Sequence, residues 1–210
     1  LAGITGAAQF LSMSLPPEEH EMTDLIVEES KRIVALLDQV EQFGDVTPPN
    51  YAEVNVHDVL DQASRSATFG FAGNIKITKN YDPSLPNVRV DSNQMVQVFL
   101  NLIKNACEAL GEEGEILVRT FYDPSLRLVM PDSNRQRMPL HVDITDNGPG
   151  LPEAISKHVF DPFVSSKLNG KGLGLALVSK IVAQHNAWVS VKSRPGQTTF
   201  RISLPVKIRK

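Results

Sequence analysis

Apolar residues along this chain keep two different periods, and Pro48-Pro49 marks where the first gives way to the second. Upstream, Leu1, Ile4, Ala8, Leu11 and Leu15 recur every three or four residues, the spacing of one helix face. Pro16-Pro17 ends that helix, because proline has no amide proton and clashes with the preceding turn. A second helical stripe follows, made of Met22, Leu25, Ile26, Ile33, Leu36, Leu37, Val40 and Phe43, with Glu28, Glu29, Lys31, Arg32 and Asp38 largely elsewhere. Two helices with one apolar stripe each enclose no core. Residues 1–47 are therefore expected to bury their stripes against another surface. A second copy, giving a four-helix bundle, is the simplest solution, and packing on the rest of the same chain is the alternative.

Residues 48–53 read as a proline-stiffened linker, and from Val54 to Lys210 strands and helices alternate. A short strand at Glu53–Val56 precedes a helix expected to start near His57-Asp58 and to end around Gly70 to Gly73. "NIKITKNY" alternates at period two, and "VRVD" is a brief strand ending at Asp91, a good helix N-cap. A long helix is predicted over Ser92–Leu110, closed by Gly111. "GEILVRTFY" and "MPLHVDITDNGPG" read as neighbouring strands joined by a polar excursion, Asp123 to Arg137. A last helix, Leu173 to His185, leads into "AWVSVKS" and "TTFRISLPV", a hairpin turning at Pro195-Gly196. The expected class is α+β: an N-terminal helical hairpin, then a two-layer α/β sandwich with one mixed sheet carrying helices on a single face.

Composition excludes several roles. A net charge of -3 gives no basic excess of the kind that collects nucleic-acid phosphates. The single cysteine, Cys107, rules out an internal disulfide and a cysteine-rich zinc site. No apolar run approaches about 18 residues, so no membrane span is expected, and no signal-peptide pattern opens the chain. A cytoplasmic chain, or the cytoplasmic part of a longer one, is the simplest expectation.

Three stretches carry chemistry. In "NQMVQVFLNLIKNACEALG", Asn101 and Asn105 stack one turn apart on a face shared with Gln94, Gln97 and Glu108, opposite Met95, Phe99, Leu102, Ile103, Ala106 and Leu110. Asparagine is a mediocre helix former, and neutral amide oxygens suit a hard cation such as Mg²⁺ that already carries phosphates; a solvated helix face is the plain alternative. In "DITDNGPGLP", Asp146 ends an apolar strand where a carboxylate can accept from an exocyclic amine, and Gly148 and Gly150 let a flat ring approach backbone. Taken alone, that stretch is a good turn. In "FDPFVSSKLNGKGLGLALVSK", Gly170, Gly172 and Gly174 run into an apolar helix, so freed amides at a helix start suit phosphates, with Lys167 and Lys171 adding mobile charge. The segment is neither a Walker loop nor a Rossmann fingerprint.

The joint order of these motifs, with Phe160-Asp161-Pro162-Phe163 between the last two, resembles the ATP-binding domain of sensor histidine kinases, the Bergerat fold shared with gyrase, Hsp90 and MutL-like ATPases. Asn101 to Asn105 are similar to that family's N box, Asp146 to Gly150 to its G1 box, Phe160 to Phe163 to its F box and Gly170 to Gly174 to its G2 box. Histidine kinases also carry a dimerising hairpin before this domain, so the resemblance spans essentially the whole chain. "GAAQFL", "FGDVTPP", "VNVHDVL", "FVSSK" and "TTFRISLP" look most like the nitrogen-regulation subgroup. The resemblance departs at His185-Asn186-Ala187, where the family often has His-Gly-Gly, and at Lys171 and Gln197.

The resemblance implies ATP and Mg²⁺ as cofactors. Asp146 would hold the adenine amine, Gly148 and Gly150 shape the base pocket, and Asn105 with Asn101 carry the metal. The amides near Gly172, Leu173 and Gly174, with Lys167 and Lys104, would face the phosphates, Asn105 and Lys167 being the catalytic pair. Residues 151–171 would form a lid anchored by Phe160 and Phe163. A homodimer through residues 1–45, a response-regulator receiver domain and a regulatory signalling protein are the implied partners. The family phosphorylates a histidine in a motif like H-E-x-x-N-P-L, whose Leu would be Leu1, so the acceptor is expected about six residues before the chain's first residue. His20, His57, His141, His158 and His185 read as ordinary surface or capping histidines. The two readings carried forward are an ATP-dependent histidine kinase and a nucleotide-binding, dimerising module without turnover.

Overall fold

The computed structural model describes residues 2–16, 20–44, 48–111, 113–125, 127–129, 135–165 and 172–206, with backbone alone at 2, 35–44, 128, 129, 135 and 136. The chain divides into two units, Leu1–Val46 and Thr47–Lys210.

The first unit is a helical hairpin, α1 (Ala2–Ser14) and α2 (His20–Gly44). Its turn is tied by the His20 ring, whose Nε2 lies 3.0 Å from the Leu15 carbonyl oxygen, and by the Thr23 hydroxyl, which donates to His20 O at 2.8 Å. Small residues close the seam: Ala8, Thr23 and Ser30 are buried. Large apolar residues stay outside it. Ile4, Phe10, Leu11 and Met13 of α1 and Met22, Leu25, Ile26, Ile33 and Val34 of α2 are exposed. The side chains of Leu36, Leu37, Val40 and Phe43 lie outside the described residues.

The second unit runs β1 (Ala52–Val54), α3 (Val56–Gly70), β2 (Lys76–Asn80), β3 (Val88–Val90), α4 (Ser92–Leu110), β4 (Glu115–Tyr122), β5 (Arg127–Val129), β6 (Arg135–Arg137), β7 (Leu140–Asp146), α5 (Glu153–Ser156), α6 (Gly174–Gln184), β8 (Trp188–Arg194) and β9 (Gln197–Leu204). Five strands form one mixed sheet in the order β2-β4-β7-β9-β8, with β2 parallel to β4 and every other pair antiparallel. Register places Ile116, Val118 and Thr120 of β4 beside Asp146, Ile144 and Val142 of β7, and these beside Thr198, Phe200 and Ile202 of β9. All nine are buried, under α3, α4 and α6. The core between the layers is built from Leu60, Phe99, Leu102, Ile103, Ile181 and Ile202, none with measurable exposure.

The expected class therefore holds, with differences in detail. Helix α3 starts at Val56, because Asn55 caps it by accepting the His57 N–H at 2.9 Å. Strands β1 and β3 stand outside the large sheet and pair with each other, Ala52 opposite Val90. The excursion after Asp123 holds a second small antiparallel pair, Arg127 opposite Arg137, which its polar composition conceals. Among the described residues no helix is long and apolar enough to cross a membrane.

Candidate functional site

Helix α4 is the element against which every recognised motif is measured. Its first turn is capped by Asp91, whose Oδ1 accepts the Gln94 N–H at 3.1 Å. Met95, Phe99, Leu102, Ile103 and Ala106 hold one face in the core, leaving Asn101 and Asn105 half-buried on another. The Asn101 amide nitrogen donates to Gln97 O at 3.0 Å, turning Oδ1 outward, and a Cβ on Gly174 would lie 3.3 Å from that oxygen. The start of α6 is thus brought against Asn101. Two turns along α4, a Cβ on Gly148 would meet the Ala109 carbonyl oxygen at 3.5 Å. Eight residues of helix, about 12 Å at 1.5 Å per residue, separate the two contacts, a span on the scale of a nucleoside triphosphate from base to phosphates. Asn105 stands midway, and its amide nitrogen is buried without a hydrogen-bond partner among the described residues.

Near Gly148, Asp146 is 3% exposed, and burial pushes its carboxyl pKa up from the usual carboxylate range. Its Oδ1 accepts the Gly148 N–H at 3.0 Å, and a Cβ on Gly148 would crowd that same oxygen at 2.9 Å. Gly148 therefore clears space beside the carboxylate. Gly150 serves a different neighbour. It has φ +89, and a Cβ there would lie 2.8 Å from Arg194 O. The absence of a Cβ lets the loop pack against the β8–β9 turn. The loop is further tied by Gly196 N–H to Gly148 O (3.0 Å), Leu151 N–H to Ser193 Oγ (2.8 Å) and Glu115 N–H to Asn147 Oδ1 (3.0 Å). Asn147 reads in the sequence only as a turn residue and Ser193 carries no signal there, since each acts through one contact with distant backbone. A cleft of about 570 Å³ is lined by Asp146 and Asn147 together with Thr78, Glu115, Leu117 and Gln197.

At the Asn101 end, α6 begins at Gly174 after a buried Leu173, with no side chain capping its first amides. Such amides need an acceptor, and an anion supplies one. Gly172, at φ +66, receives the Phe163 N–H on its carbonyl at 3.0 Å, and a Cβ would meet Phe163 C at 2.5 Å. This joins the F and G2 segments through backbone. Phe160 packs edge-on to buried Phe200, ring centroids 6.3 Å apart, whereas Phe163 is 74% exposed. Only Phe160 anchors by its ring; Phe163 has positive φ, and its amide makes the contact. Lys104 is exposed on α4 beside Asn105. Lys167, Gly170 and Lys171 lie outside the described residues.

Residues 90–208 match the profile of the family described as "Histidine kinase-, DNA gyrase B-, and HSP90-like ATPase", which covers the site from Asp91 onward. The chain belongs to that ATPase family, whose domain binds ATP. Across 98% of its length it is 59% identical to the "Sensory histidine kinase/phosphatase NtrB" of Rhodobacter capsulatus and 48% identical to the protein of the same name from Rhizobium meliloti, covering 58% and 54% of those proteins. The chain thus spans little more than half the length of these curated relatives. In fold, 97% of it superposes on 57% of a histidine kinase ThkA chain solved in complex with the response regulator TrrA, at TM-score 0.70 and 22% identity.

Proposed function

We propose that this chain is the transmitter part of a two-component sensor histidine kinase of the nitrogen-regulation subgroup. It binds ATP with Mg²⁺, phosphorylates a histidine and passes the phosphoryl group to an aspartate of a response regulator. The observation that carries the reading is the convergence along α4: Gly148, beside the buried Asp146 carboxylate, at Ala109, the unpartnered Asn105 amide midway, and the uncapped start of α6 at Asn101. High identity to kinases named for this role supports it.

Phosphoryl transfer asks a protein mainly to position reactants and offset charge. Asp146 accepts the adenine amine. The α6 amides from Gly172 to Gly174 hold phosphate oxygens, with Lys167 and Lys104 as mobile cations. The Asn105 amide fits a phosphate-bound metal, its oxygen as ligand and its buried nitrogen donating to a phosphate oxygen. Asn101 is a weaker ligand, because its nitrogen is committed to Gln97 O and its oxygen faces Gly174. Mg²⁺, when bound, offsets the charge that builds up on the phosphates. The acceptor imidazole nitrogen forms the new N–P bond, the bond from the γ-phosphorus to the bridging oxygen breaks, ADP leaves, and the imidazole proton passes to a base.

The acceptor is none of the five histidines here. His57, His141 and His185 are held in the second unit by bonds to Thr120, Ser203 and Ile181 O; His20 is bound to Leu15 O, and His158 is paired with Asp161. We place it in the longer kinase, within a dimerisation and phosphotransfer hairpin of which residues 1–47 are part, ahead of the linker 48–53 and the catalytic domain 54–210. The exposed stripe of the hairpin pairs with a second copy through residues 1–45. The cytoplasm, where ATP and response regulators reside, is the setting. A binding module without turnover is the second reading, favoured by the absence of a suitable acceptor among the described histidines.

The two separate in one experiment. The chain is incubated with ATP and Mg²⁺ together with a longer copy that supplies the acceptor but carries Asn105→Ala. Label on the longer copy establishes the kinase. Nucleotide binding with no transfer leaves the binding module.

A further inference from the structure

The linker does not simply enter the ATP-binding unit; it is fastened to both helices that frame the nucleotide site. The Asn50 N–H donates to Asp91 Oδ2 at 2.8 Å, while Oδ1 of the same buried carboxylate caps α4. The Asp91 N–H in turn donates to Nε2 of His185 at 3.0 Å. His185 is 3% exposed at the end of α6, and its Nδ1 lies 2.8 Å from Ile181 O. A ring whose Nε2 accepts carries its proton on Nδ1, which then donates to Ile181 O, so both ring nitrogens are engaged. The Tyr51 hydroxyl donates to Gln184 O, the last carbonyl of α6, at 2.7 Å, and its ring stands edge-on to His185 at 5.4 Å. Arg89, on β3 where it pairs with β1, lies over the Tyr51 ring, 5.8 Å from its centroid. Two consecutive linker residues therefore hold the N-terminus of α4 and the C-terminus of α6 at once. Those helices carry Asn101 and Asn105 and the phosphate-end amides, and they touch again at Asn101 and Gly174.

We propose that Tyr51, acting with Asp91 and His185, is a positioning residue for phosphoryl transfer. It locks the incoming linker to the remote ends of α4 and α6, so a displacement of residues 48–51 alters the relative setting of the two helices at the phosphates. The Gln184 side-chain oxygen, buried at the same joint without a partner, marks it as less than fully satisfied and so less costly to shift than the core. The role rests on the kinase reading above. It goes beyond that reading in assigning the transfer step a determinant that touches neither nucleotide nor acceptor.

The test is Tyr51→Phe in the full-length kinase, which keeps the ring against His185 and removes only the hydroxyl. Loss of one hydrogen bond predicts an autophosphorylation kcat about three- to tenfold lower, with KM for ATP, nucleotide stoichiometry and melting temperature unchanged. His185→Ala should lower kcat in the same way, and His185→Gln, whose amide again offers an acceptor and a donor, should restore part of it. A kcat unchanged in Tyr51→Phe while the wild type transfers overturns the latch and leaves the kinase reading standing. A rate that falls only in step with folded fraction or ATP affinity also overturns it, as that is a structural role. No transfer by the wild-type kinase overturns the kinase reading and this role together.

Discussion

The two units solve the same problem in opposite ways. In the ATP-binding unit, Leu60, Phe99, Leu102, Ile103 and Ile181 are sealed between helices and sheet, and exposed aromatics such as Phe69, Phe163 and Trp188 are exceptions to a core that closes on itself. In the hairpin the order is reversed: small Ala8, Thr23 and Ser30 fill the seam while Phe10, Leu11, Ile26 and Ile33 face outward. Burying one such side chain is worth about 1.5–3 kcal/mol, so the hairpin leaves unclaimed the driving force the other unit has already used. One unit encloses its large apolar side chains; the other leaves them exposed.

The sharpest way to break that contrast is to make the hairpin's stripe polar. Ile26 and Ile33 lie two turns apart on α2, 40% and 43% exposed. Ile26→Glu with Ile33→Glu should weaken self-association at least about a hundredfold, read by sedimentation, while ATP affinity stays as it was. A variant that remains dimeric would show that the stripe is not the interface. The next largest effect belongs to the other unit. Asn105→Ala removes the unpartnered amide and should lower phosphoryl transfer roughly a hundredfold or more, with the dimer and the melting temperature unaffected.

Much of this was legible in the chain, and what escaped has a common cause. Helix α4 begins and ends where Asp91 and Gly111 predict, because capping is local chemistry read within a few residues. Asp146 was recognisable as a buried carboxylate because it ends an apolar strand. The steric partner of Gly150, Arg194, is more than forty residues away, and no local pattern announces it. The β1–β3 pair and the His185–Asp91 bond were missed for the same reason. Phe160 and Phe163 share one motif and one expected anchoring role, yet only the Phe160 ring is packed: Phe163 has positive φ, an exposed ring and an amide bonded to Gly172 O.

Asp146 sharpens the comparison differently, since here the self-contained unit gives up stability for a binding group. Burial raises its carboxyl pKa above the ordinary 3.8, so the folded state binds the proton more tightly than the unfolded chain. The cost is absent below the ordinary pKa, grows as pH rises through the folded value and is complete at neutrality. Asp146→Asn should therefore weaken ATP binding about tenfold to a hundredfold, yet raise the melting temperature at pH 7. That gain should fade as pH falls toward 3.8. A variant less stable than wild type at pH 7 would mean that the Gly148 contact outweighs the buried charge.

The smallest effect separates the units by what they respond to. His57 lies on α3 with Nε2 2.9 Å from Thr120 Oγ1, and its ring stacks on Tyr81 at 4.6 Å. Burial lowers its pKa, against the opposing pull of Asp61, Asp58 and Asp82. His141, 1% exposed beside Ser203, is lowered by burial and by Arg201. In both cases the unfolded chain, near 6.5, binds protons more readily than the folded one. Stability therefore rises with pH across the window from each lowered value up to 6.5, and is lost as pH falls through that window. The single histidine of the hairpin, His20, sits in a turn rather than a core. Calorimetry should then resolve two transitions. One shifts with protein concentration and belongs to the hairpin; the other shifts with pH between neutrality and mild acid and belongs to the ATP-binding unit. His57→Gln should flatten the pH dependence of the second and leave the first alone. A single transition that follows both variables would mean that the hairpin and the ATP-binding unit unfold as one.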